Sequence, residues 1–333
     1  MSHIPVLLTE MLTALSPKKG EIYVDATFGE GGYSRAILRT VDCRVVAMDR
    51  DPSAVSKGKI LEKEFPQRFQ MLQGTFSQLK DLLPGIGLSK VDGFVFDLGV
   101  SSEHIDMPER GFSFRFDGPL DMRMSQEGVS AADVVNTYSQ EELADIIFRY
   151  GEEKKSRAIA RKIVAARRQE PFRTTSQLAN VVKSVVRGTK DGQNPATLTF
   201  QALRIFVNNE LLEIDNGLKI AEEYLVPGGR LVVVTFHSLE DRLVKQFLKA
   251  RQGARQRSGC SRYLPEPKNV KSLLPTFTQG KRVGAPIKGI TPSDAELRSN
   301  PRARSARLRT AIRLSPLRQP LHEEAPNHQG GSI

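Results

Sequence analysis

The chain has 333 residues, 39% hydrophobic and 26% charged, which suits about two globular domains with real cores and excludes a mostly disordered protein. Cys43 and Cys260, the only cysteines, show neither pairing nor ligand spacing, so a disulfide scaffold and a cysteine zinc site are excluded and a reducing cytoplasmic setting fits. No apolar run approaches the roughly 18 residues of a membrane span, the opening residues lack a secretory pattern, and a formal net charge of +11 directs attention to a polyanionic partner.

In chain order, Ile22–Asp25 reads as a buried strand, 29–38 as a glycine turn entering a helix, and 43–49 as a second strand. Pro52–Glu64 follows as a helix with proline in its first turn, then 69–72 as a short third strand and Val91–Asp97 as a fourth. Strands separated by helix-length segments imply βαβ units and a parallel sheet covered on both faces. The alternation stops at a polar and aromatic loop, 101–121, and helical periodicity takes over through 131–186. One long helix is expected over 199–224, and the sheet pattern resumes at 227–236 with a closing strand within 305–314. The reading is an α/β, Rossmann-like domain (1–105 and 209–314) interrupted by an all-helical domain (106–208), with 315–333 as a flexible tail.

The string Asp25-Ala26-Thr27-Phe28-Gly29-Glu30-Gly31-Gly32 leaves a strand and opens a helix, so its glycines permit a sharp turn and close approach of backbone N–H groups to a ligand. Its spacing is not the G-x-G-x-x-G of a dinucleotide site, which disfavours a nicotinamide-dependent oxidoreductase. Asp49 ends the second strand, where an acid accepts hydrogen bonds from a ribose, and Asp97 ends the fourth, where doubly wound folds bind ligands. An acid after the first strand, a glycine turn and an acid after the second resemble class I S-adenosylmethionine-dependent methyltransferases. Ser238 lacks the glycines of a nucleophile elbow, so a serine hydrolase is disfavoured. The bland reading of His237 and Ser238 is a helix start capped by Ser238 with Asp241.

Longer strings are more specific. Residues 3–10, 25–32, 47–52, 97–102, 110–114, 119–124, 150–153, 200–205, 236–242 and 300–305 resemble, in order, the ribosomal RNA small subunit methyltransferase H family, and the resemblance covers 3–313. It implies transfer of a methyl group from S-adenosyl-L-methionine to N4 of a cytidine in the decoding region of 16S rRNA. Carried over residue by residue, the cofactor positions are Gly31, Gly32, Tyr33, Asp49, Phe76, Asp97 and His104, and Asp97 also orients the amine. Two of these depart from the family: Tyr33 stands where it has histidine and His104 where it has glutamine. A further departure is Leu198, at a position usually basic.

On the substrate side, Phe112, Phe114 and Phe116 alternate with Ser113 and Arg115, a combination suited to stacking on a base. His237 and Ser238 end the strand expected beside that of Asp97. Basic residues gather in the helical insert, from Lys154 to Arg173, and between Arg251 and Arg313, where Arg302 and Arg304 are candidate phosphate contacts. The expected partner is 16S rRNA within the small ribosomal subunit, with no membrane and no metal, and a homodimer stays open. A non-catalytic RNA-binding or ribosome-assembly factor that retains the fold is the alternative.

Overall fold

The computed structural model describes residues 5–186, 194–252, 275–278 and 289–315. Seven strands form one sheet: β1 (Ile22–Asp25), β2 (Arg44–Asp49), β3 (Phe69–Gln73), β4 (Val91–Asp97), β5 (Leu225–Thr235), β6 (Phe277–Thr278) and β7 (Arg307–Arg313). Their order is β3-β2-β1-β4-β5-β7-β6. The first five are parallel, and β7 enters antiparallel between β5 and β6. The central strands carry apolar stretches, Tyr23–Val24, Val45–Met48, Phe94–Phe96 and Leu231–Val234, because both faces of the sheet are covered there. Alternate residues feed opposite sides: Val24, Val46, Phe94, Phe96 and Val233 one cluster, Tyr23, Val45, Val95, Val232 and Val234 the other. A third buried cluster is built wholly from residues between Leu120 and Leu203, among them Val134, Ile147, Ile159, Leu178 and Phe200.

The helix Pro52–Glu64 falls where its proline placed it, with the Asp51 carboxylate accepting from the Ser53 N–H at 3.0 Å. Three expectations need correction. The long helix over 199–224 is two, Thr197–Val207 and Glu210–Tyr224. Asn208 breaks it by binding the chain elsewhere: its amide donates to the Met122 carbonyl at 2.7 Å and accepts from the Met124 N–H at 2.9 Å, and Asn209 turns left-handed at φ 51°. The loop 101–121 contains a short helix, Ser102–Asp106, and a 3-10 turn, Pro108–Arg110. The helix after β5 is capped by His237 with Glu240, not by Ser238 with Asp241. A helix at Leu8–Leu15 was not expected. Cys260, the tail beyond 315 and most basic residues between Arg251 and Lys288 lie outside the described residues.

Candidate cofactor and substrate site

Strand order reverses between β1 and β4, which opens a crevice beyond their carboxyl ends. A cavity of about 460 Å³ lies there, within the range of small-molecule sites. Its wall includes Gly32, Tyr33, Asp49, Phe76, Asp97, His104, Arg302 and Arg304.

The turn after β1 is held by close approach. Gly31 has φ 78°, and a Cβ there would fall 2.6 Å from Phe28 Cζ; one on Gly32 would fall 2.3 Å from Pro5 Cγ. Any side chain on Gly31 would meet a ring and a strained backbone together. Gly31 itself caps the helix Gly32–Thr40 and is not among the cavity-lining residues. Asp49 secures the turn from the neighbouring strand: Oδ2 accepts from the Gly29 N–H at 2.8 Å and Oδ1 from the Asp51 N–H at 2.9 Å. Each oxygen keeps a lone pair for a further donor. Burial raises this carboxyl against those two bonds. Asp25, fully buried beneath the turn, is pushed up to about 6 by burial despite bonds from Ser34 and Thr27.

Asp97 ends β4 with its N–H donating to Thr27 Oγ1 at 2.6 Å. Its own Oδ1 is buried without a hydrogen-bond partner. Burial first, then the charges of Asp25 and Glu240, raise its carboxyl well above the usual range. Asp97 lines the cavity, so a ligand there meets a carboxyl group whose acceptor capacity is unsatisfied, a costly state while it stays unpaired.

Tyr33 and His104, the two cofactor positions expected to depart from the family pattern, are both engaged within the protein. Tyr33 is buried, and its hydroxyl donates to the Val6 carbonyl, which ties the segment before the first helix against the glycine turn. The Leu7 N–H in turn donates to the Glu296 carboxylate at 2.7 Å. His104 accepts from the Ser101 N–H at Nδ1 (3.2 Å), so its Nε2–H donates to Asp51 Oδ2 at 2.7 Å. Arg110 reaches the same oxygen at 2.7 Å. Burial would raise Asp51, but His104 and Arg110 hold it well below the usual carboxylate range. Phe76 lines the cavity with its ring edge-on to Phe96 at 5.3 Å.

The proposed substrate residues are less gathered. Phe112, Phe114, Arg115, His237 and Ser238 do not line the cavity. Phe112 stacks on His104 at 4.6 Å, and Phe114 packs edge-on against Phe200 at 4.9 Å, so both rings are engaged within the protein. Ser238 Oγ donates to Glu152 at 2.7 Å. Arg302 clasps Asp106 at 2.5 and 2.7 Å, whereas exposed Arg304 makes no ion pair among the described residues.

Residue patterns did not indicate a polar network that reaches the cavity through Arg204 and Glu210. Glu210, His237 and Glu240 bring one donor atom each within 4.8 Å of the others, close enough for a metal ion. Arg204 already supplies the cation: it forks onto Glu210 at 2.8 and 2.7 Å and lies 3.9 Å from Glu240. His237 Nδ1 accepts from the Glu240 N–H at 3.4 Å, which leaves the hydrogen on Nε2 and makes that atom a poor metal ligand. With Arg204 beside them the carboxylates form an internal ion-pair network, in which His237 Nε2 and Glu240 Oε1 are left without a hydrogen-bond partner. The sequence signal was an arginine and two glutamates set in otherwise apolar helix faces.

A doubly wound sheet with a reversed last strand, a glycine turn, an acid at the end of β2 and an open acceptor at the end of β4 define a class I methyltransferase whose cofactor is S-adenosyl-L-methionine. The chain belongs to the MraW methylase family, whose model matches residues 1–314. It is 52% identical over 313 residues to ribosomal RNA small subunit methyltransferase H of Rhodospirillum rubrum, covering 93% of this chain and 94% of that protein. The protein of the same name from Paramagnetospirillum magneticum is 54% identical, covering 94% of this chain and 96% of the other. An rRNA methylase structure from Streptococcus thermophilus overlays at a TM-score of 0.40 with 11% identity, covering 95% and 99% of the two chains.

Proposed function

We propose that this methyltransferase acts on N4 of a cytidine in the decoding region of 16S rRNA, presented within the small ribosomal subunit in the cytoplasm. The carrying observation is Asp97, a cavity-lining acid with an unpartnered oxygen; the names of the relatives supply the substrate class. The cofactor brings a methyl carbon on a sulfonium, which leaves as a neutral thioether. The remaining work is positional. Asp49 would receive the ribose hydroxyls, the Gly31–Gly32–Tyr33 turn the methionine end, and Phe76 and His104 the adenine side. Asp97 would accept a hydrogen from the amine, so that the nitrogen lone pair, otherwise delocalised into the cytosine ring, is directed at the methyl carbon. The proton released after C–N bond formation leaves to water. Residues 106–208 form the substrate-recognition domain in this reading, and exposed Arg115 and Arg304 contact phosphates. No helix among the described residues is long and apolar enough to cross a membrane.

The test is transfer of labelled methyl groups to unmethylated small subunits, with the product nucleoside identified by mass spectrometry. Wild type is expected to yield N4-methylcytidine, and Asp97→Ala to lose transfer. Asp49→Ala should weaken cofactor binding by about 3 kcal/mol, the worth of two charged hydrogen bonds. Retained RNA binding without any transfer by the wild type would favour the non-catalytic assembly factor.

A further inference from the structure

The loop after the Ser102–Asp106 helix carries three phenylalanines, and the structure treats them differently. Phe112 and Phe114 are engaged with His104 and Phe200. Phe116 is 63% exposed. A single exposed phenylalanine is ordinary on a protein surface; this one differs in its frame. The Phe116 carbonyl accepts from Thr175 Oγ1 at 3.4 Å. Asp117 next to it accepts from the Ser176 N–H at 3.0 Å, at the start of the helix Thr175–Val185. Gly118 exchanges bonds with Thr175, donating to its hydroxyl at 3.3 Å and accepting from its N–H at 2.9 Å. Pro119 then bridges Thr174, and a Cβ on Gly118 would fall 1.9 Å from the Pro108 carbonyl oxygen. The backbone under the exposed ring is therefore fastened on its C-terminal side to a helix start and to a second loop.

The surroundings suit RNA. Arg115 and Arg173 are both exposed and make no ion pair among the described residues. Phe116 lies four residues from Phe112, so its Cα is at most ~14 Å from that of a residue whose ring touches cavity-lining His104. An exposed aromatic ring on a fastened backbone, with exposed arginines near it in the chain and in the paired segment, is an arrangement suited to stacking on a base while its neighbours hold the phosphates.

We infer that Phe116 stacks on a base adjacent to the target nucleotide and holds the strand open while the target enters the cavity. This rests on the RNA methyltransferase reading above. The test compares wild type, Phe116→Ala, Phe116→Leu and Phe116→Trp for kcat and KM on unmethylated small subunits, with cofactor affinity and melting temperature measured alongside. Alanine should lower kcat/KM by about fivefold to a hundredfold, the range of one base–aromatic stack. Leucine should fall nearly as far, tryptophan should restore most of the loss, and cofactor affinity should stay at the wild-type value in all three. An alanine variant within twofold of wild type would overturn the inference. So would leucine matching wild type, which would make the side chain an apolar plug. If alanine lowers stability, the leucine and tryptophan pair decides. Absence of transfer by the wild type itself would overturn the underlying reading and this one with it.

Discussion

Asp97 carries a conflict that ligand binding resolves. Its carboxyl is partly buried at the cavity wall, has an oxygen without a donor, and faces the charges of Asp25 and Glu240, so it holds its proton to higher pH than an ordinary aspartate. A cationic ligand favours the ionised form. Cofactor affinity is therefore expected to rise with pH above the ordinary carboxylate range, because the carboxylate must lose its proton to receive the ligand's positive charge. Calorimetric titrations across pH should show this rise for wild type and a flatter profile for Asp97→Asn. An unchanged profile in the variant would assign the dependence to another group. Asp51 has the opposite sign: its folded carboxyl lies below the usual range. It contributes stability above the ordinary carboxylate pKa, and that contribution is lost as pH falls through the depressed value.

Elements were most legible where local chemistry alone fixes them. Pro52 with Asp51 before it announces a helix start, and β1 and β4 each end in an apolar run closed by an acid, Tyr23–Asp25 and Phe94–Asp97. The break at Asn208 was illegible because its cause lies 86 residues away, at the Met122 carbonyl. The glycine turn, Asp49 and Asp97 could be read from spacing, whereas the Arg204 network could not, since its members become neighbours only when helices pack. The segment 107–121 makes the same point through space. Gly118 has no positive φ, yet its Cβ position lies 1.9 Å from a backbone oxygen of Pro108. No rotamer change relieves a backbone clash, so Gly118→Ala should cost about 1–3 kcal/mol. Urea unfolding measures it, and a variant as stable as wild type would mean the two loops separate freely.

Across the molecule, arginines join the helical segment between 106 and 208 to the sheet side. Arg50 donates to the Asn208 carbonyl at 2.7 Å, Arg110 pairs with Asp51 at 2.7 Å, and Arg204 with Glu210 at 2.7 Å. Glu240 behind Arg204 is fully buried, and His237 and Arg204 hold it ionised against its burial. Arg204→Met would strand two buried carboxylates and should cost about 3–5 kcal/mol of stability. Denaturant melts read this loss, and a variant matching wild type would show that water or a rearranged His237 compensates.

Pro5 and Val6 at one end of the described chain, and Pro301, Arg302, Arg304 and Ser305 near the other, both contribute to the wall of the cavity, and the Leu7–Glu296 bond ties the two segments together. Polypeptides are made from the amino end, so the first five strands exist before the last wall of this chamber has been translated. The wall of the cavity is complete only once the segment that ends at Ser305 has been added.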